Sequence, residues 1–276
     1  MKKLIIGILF LSFILTGCDY SREEDRTGIF YHVFVQPIDQ LIHALGHLFN
    51  EQYGLAIIIM VLLVRFILLP FMLIQTKNMH ITREKTKVVQ PELDQMHQKL
   101  KEAKTPEERQ QANRALTETY SKYGISPWKG LVGCLPILIQ IPIILGLVAA
   151  LRYPSEGGII EHPHFLWFNL MEPDLAITLI AAVMYFIQPL VNAMHYPKSQ
   201  RGTYYFMMVA SPIFISFASL HSTSALGLYW TFSGLFLIIQ MHFAHSHYHK
   251  VAVKEAQQLR ENHHIQLSDD EATSNS

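Results

Sequence analysis

The stretch Tyr53 to Ile74, YGLAIIIMVLLVRFILLPFMLI, leaves a chain few ways to fold. Its 22 residues are almost all apolar, the length at which an α-helix crosses the hydrocarbon core of a bilayer. Arg65 stands near the middle, about two helical turns from the nearest polar flank. A guanidinium at that depth costs about 2.5–3.5 kcal/mol on insertion scales, and it cannot escape by losing its proton. It must snorkel, pair with a buried acid, or reach water through a cavity in the protein. The flank is far for snorkelling, and no Asp or Glu lies inside any other long apolar run. The sequence therefore predicts a hydrated cavity around Arg65.

The rest of the chain supports a polytopic membrane protein. Half of its 276 residues are hydrophobic and 16% are charged. Four further apolar runs predict spans over 131–151, 175–191, 203–220 and 226–241. The second carries Pro136, Gln140 and Pro142, and the last is unusually polar, with Tyr229, Trp230, Thr231, Ser233 and Gln240. Gln140 at membrane depth serves either an interhelical hydrogen bond or a cavity wall. Tyr185, Gln188 and Pro189 lie toward one end of the third span.

Between the first two spans, residues 75–126 carry ten Lys and Arg and read as an antiparallel helical hairpin. The second arm opens at Thr105-Pro106-Glu107-Glu108, a capping box with proline at the first helical position. The predicted inside segments 75–126, 192–202 and 242–276 hold fifteen Lys and Arg against three in the mature outside segments, which sets the orientation. Residues 1–17 read as a secretory signal. Leu15-Thr16-Gly17-Cys18 has the form of a lipoprotein box, making Cys18 the expected lipidation site on the outer face. Residues 18–52 then form a linker and an interfacial amphipathic helix, with Ile38, Leu41, Ile42, Leu45, Leu48 and Phe49 on one face. Residues 246–276 form a hydrated cytoplasmic tail.

Equal numbers of acidic and basic residues give no global attraction for nucleic acid. There is no phosphate-binding loop, HExxH or GxSxG, which weighs against an ATPase, a zincin or a serine hydrolase. His242, His245 and His249 share helical faces, but with no acid or cysteine among them they are read as solvated, and no metal or cofactor is expected.

YGLAIIIMVLLVRFILLP (53–70), GCLPILIQIPI (133–143), HFLWFNL (164–170) and ALGLYWTFSGLFLIIQ (225–240), in this order behind a lipoprotein box, resemble the YidC/Oxa/Alb family of membrane protein insertases in its Gram-positive form. The resemblance implies an all-α fold of five transmembrane helices with a cytoplasmic hairpin. It implies no enzymatic activity. It makes Arg65 the charge of a hydrophilic groove open to cytosol and lipid, and places Gln140 and Trp230 on the groove wall, with Tyr185, Gln188, Tyr229 and Thr231 as further candidates. The implied partners are nascent membrane proteins, the lipid bilayer, the Sec translocon and the ribosome. The His-rich, acid-ended tail departs from the strongly basic tail of many relatives. A transporter or channel for an anionic solute is the rival reading; it would be favoured by an inverted repeat, and the five spans show none.

Overall fold

The computed structural model describes residues 26–125, 135–155, 157–196 and 201–263. The signal segment, Cys18, positions 131–134 of the second span and the acidic end of the tail (264–276) lie outside the described residues.

Among the described residues the fold is all-α apart from one two-stranded hairpin. A π-helical stretch (Tyr31–Val35) runs into α1 (Gln36–Leu48), followed by α2 (Tyr53–Val88), α3 (Gln90–Glu102), α4 (Pro106–Lys122) and α5 (Leu135–Arg152). The strands β1 (His164–Phe165) and β2 (Phe168–Asn169) precede α6 (Leu175–Met194), α7 (Arg201–Leu220) and α8 (Ser224–His263). Four of these helices, α2, α6, α7 and α8, are long and apolar enough to cross a membrane, and α5 is a further apolar helix. This is a multi-pass membrane protein.

The chain forms two compact units, one from residues 1–68 and 137–241, the other from 69–136 and 242–276. In the first unit, α2 buries Tyr53, Ala56, Ile57, Met60 and Val61, the spacing of a single helical stripe. They meet Leu147 and Leu151 of α5, Ile177 and Ala181 of α6, Ile215 of α7, and Leu226, Leu228 and Trp230 of α8. The opposite faces show Phe66, Ile67, Phe206, Ile213, Phe214 and Phe217. On a soluble protein so large an apolar surface would be a liability; on a bundle of spans it is the face that lipid wets.

One end of this unit is capped by α1 and the β-hairpin. Ile42 and Leu45 of α1 are buried, while Leu48, expected on the same face, is exposed at the helix end. Asp39 accepts a hydrogen bond from the Ser155 hydroxyl and lies 3.7 Å from His43. The hairpin pairs Phe165 with Phe168 and turns through Leu166, whose φ of 52° lies in the left-handed region. The Phe165 ring lies against Gly54, where a Cβ would collide with it. At the start of α6, Asp174 caps the helix by accepting from the Ile177 amide at 2.9 Å.

The second unit departs from expectation in two ways. First, α2 does not stop near Ile74. It passes Pro70 and continues to Val88, so the hairpin arms proper are α3 and α4. Second, the part of the tail described is not a loose hydrated segment. It continues α8 to His263, with Ala252, Ala256 and Leu259 buried, and packs Ala256 and Leu259 with Val88, Val89, Leu93, Tyr123 and Ile125. The capping box forms as its residues predict. Glu108 accepts from the Lys104 and Thr105 amides at 2.8 and 3.2 Å, which hold its carboxyl below the usual range. At the hairpin base the Tyr123 hydroxyl donates to Glu92, and Lys122 lies 3.3 Å away. The Tyr123 bond first, and then Lys122, hold Glu92 below the usual carboxylate range against the opposing effect of burial.

Candidate functional site

Arg65 follows Ile57 and Val61 at four-residue steps on α2, so the stripe that builds the core carries the guanidinium inward rather than toward lipid. It is 7% exposed. Nη2 donates to Ser233 Oγ on α8, and Ser233 is fully buried. Among the described residues no Asp or Glu forms an ion pair with Arg65. The charge is therefore held by neutral hydroxyls, those of Ser233 and Tyr229.

Around it the structure gathers side chains from separate helices. Gln140 Nε2 of α5 donates to the Tyr229 hydroxyl of α8 at 3.0 Å. Tyr185 of α6 meets Trp230 edge-on, with ring centroids 5.6 Å apart and planes at 87°. Tyr229 and Trp230 pack at 5.0 Å. The close approach of α6 and α8 depends on Gly234, where a Cβ would sit 2.9 Å from that of Met184. The Trp230 indole nitrogen is buried without a hydrogen-bond partner among the described residues. A buried donor left unpaired costs about 1–3 kcal/mol.

Of the residues singled out from sequence, Arg65, Gln140, Tyr185, Tyr229 and Trp230 thus fall in one neighbourhood. Thr231 is buried, but its hydroxyl is spent on the Gly227 carbonyl of its own helix at 2.9 Å. Gln188 is half-buried on α6. Ser233 was not among the site candidates. Its only signal in the sequence was membership of an unusually polar span.

The second unit holds a polar centre of the opposite kind. Glu84 is 8% exposed and accepts from Arg83 Nε at 3.1 Å and from Lys87 Nζ at 2.9 and 3.1 Å, with His249 Nδ1 at 3.8 Å. Arg83 Nη2 also lies 3.1 Å from His80 Nδ1. Arginine can only donate, so Nδ1 accepts and His80 carries its hydrogen on Nε2. That hydrogen goes to His245 Nδ1 at 2.6 Å. His245, read as solvated, is in fact 1% exposed and paired with a histidine 165 residues away. Among the described residues no three His, Cys, Asp or Glu are arranged to hold a metal.

Comparison with known proteins gives a consistent set of relatives. The family described as 60Kd inner membrane protein matches residues 44–251. Membrane protein insertase YidC 1 of Staphylococcus epidermidis (strain ATCC 35984) is 63% identical over 260 residues, 94% of each chain. Membrane protein insertase YidC of Staphylococcus haemolyticus is 52% identical over 255 residues, 92% of this chain and 88% of the relative. That of Staphylococcus aureus (strain JH9) is 51% identical over 260 residues, 93% and 90% respectively.

Proposed function

This chain belongs to the YidC/Oxa/Alb family, described as 60Kd inner membrane protein, and from that premise we propose that it is a membrane protein insertase and chaperone, acting without chemical catalysis. The observation that carries the reading is Arg65: a permanent charge, buried in a bundle of apolar helices, whose partners are hydroxyls rather than an acid. A folded protein gains little from such a charge unless something negative visits it.

The visitor is the acidic flank of a nascent membrane protein. In a hydrophilic groove lined by Arg65, Gln140, Tyr185, Gln188, Tyr229, Trp230 and Thr231, the guanidinium attracts substrate carboxylates more strongly than it would in water. The unpaired Trp230 N–H offers a second donor to a substrate acceptor. The substrate tail is drawn partway across the membrane. Burial of its apolar helix in lipid, at roughly 25 cal/mol per Å², then drives release sideways, and no nucleotide is consumed. The chain sits in the cell membrane with Cys18 lipid-anchored outside and the C-terminus in the cytoplasm. There the hairpin receives substrate and docks the Sec translocon and the ribosome.

The test is insertion of a single-span protein with an acidic N-terminal tail in cells depleted of their own insertase. Wild type is expected to restore insertion, and Arg65→Ala to lose it about tenfold or more, the equivalent of one hydrogen bond to a charged group. The loss should grow with the number of tail acids, and Arg65→Lys should retain most of the activity. Equal loss in the Lys and Ala variants would replace charge with guanidinium geometry. Failure of wild type to restore insertion would overturn the reading.

A further inference from the structure

We propose that Ser233 is the positioning residue for Arg65, an inference that rests on the groove-charge reading above. Arginine has a long stem with about 2 kcal/mol of rotamer entropy, and in a membrane such side chains bend toward the nearest water. Something must hold this one at depth. An acid would do so at the expense of the charge. A serine hydroxyl accepts the Nη2 hydrogen and leaves the charge whole.

The surroundings make Ser233 a junction. It lies one turn beyond Tyr229 on the buried stripe of α8 and is fully buried. The Tyr229 and Tyr185 hydroxyls also reach it. Both phenols thus lie beside the hydroxyl that Arg65 uses. Gln140 enters through Tyr229, so α2, α5, α6 and α8 all register on this oxygen. Neighbouring Gly234 lies against Met184 and Tyr185, so α6 and α8 approach closely beside Ser233. Serine is thus the small residue that accepts from Arg65 without neutralising it. Tyr229 is a second hydroxyl partner of the guanidinium, so its partners here are neutral groups that leave its charge for a carboxylate.

The experiment measures insertion of two single-span proteins that differ only in having an acidic or a neutral tail, and takes their ratio. Ser233→Ala is expected to lower that ratio about fivefold, the worth of one hydrogen bond. Ser233→Thr, which keeps the hydroxyl, should restore it. Adding Ser233→Ala to Arg65→Ala should change nothing further. A purely structural role would depress both substrates alike, and an unchanged ratio in Ser233→Ala overturns the proposal. A further fall of the ratio in the double variant also overturns it. An unchanged ratio in Arg65→Ala alone takes down the groove-charge reading and the proposal with it. If Ser233→Ala fails to accumulate, Ser233→Cys keeps the volume and weakens the acceptor; it must lower the ratio too, or the proposal falls.

Discussion

Two buried polar centres in this molecule settle their charges in opposite ways. Around Glu84, one carboxylate collects Arg83, Lys87 and His249, and a directed chain of hydrogen bonds continues from Arg83 through His80 to His245. Around Arg65, one cation has a hydroxyl and aromatic neighbours but no acid among the described residues. The first arrangement is what a fold uses to hold itself together. The second stores an unmet demand for negative charge, and an unmet demand is useful to a protein only when a partner supplies it.

This contrast can be broken most severely at Glu84. Glu84→Gln takes the carboxylate from the largely buried Arg83 and from the more exposed Lys87 and should lower stability by about 3 kcal/mol, read as a clear fall in melting temperature of the purified protein in detergent. Arg65→Ala should leave the melting temperature unchanged or raise it, because a desolvated charge disappears, while insertion of acidic-tailed substrate collapses. A fall in both variants would erase the distinction between the two centres. Next in size, Ser233→Asp would turn the Arg65 centre into an ion pair like that of Glu84. The preference for acidic tails should vanish although the arginine remains, as measured by the acidic-to-neutral insertion ratio.

A smaller effect sharpens the comparison at the exposed edge of the second unit. Glu92 is held below its ordinary range by Tyr123 and Lys122. A depressed carboxyl contributes stability that is present above its unfolded pKa and lost as pH falls through the lower folded value. Hydrogen exchange at the base of α3 and α4 should therefore quicken below about pH 4, and Glu92→Gln should remove that dependence. Glu92 is partly exposed and solvent screens its charge, so the change should be local.

Much of this was legible in the sequence because it rests on local rules. The apolar runs predicted the spans, and Thr105 with Glu108 predicted the cap of α4. Arg65 was legible as a buried charge because nothing else in a 22-residue apolar run resembles it. What escaped reading is long-range. Ser233 meets Arg65 across 168 residues, and a serine in a polar span does not announce its partner. His245 looked solvated because its burial comes from α2, not from its own neighbours in sequence. The tail misled for a related reason. Ala252, Ala256 and Leu259 form a thin apolar stripe among charges, too weak to predict packing without the surface of Val88, Val89 and Tyr123. The end of an apolar run was also not the end of its helix: α2 keeps its backbone hydrogen bonds to Val88 after its side chains turn polar.

The contact between Gly54 and the Phe165 ring carries a consequence for descent as well as for packing. Neither position can drift alone. A side chain at 54 demands a smaller residue at 165, and a small residue at 165 removes the penalty that keeps 54 bare. Across the lineages of this family the two sites should therefore change together, so that a bulky residue at one predicts the loss of bulk at the other. A relative that kept an aromatic at the second site while gaining a branched side chain at the first must have reshaped the end of the bundle where the hairpin rests.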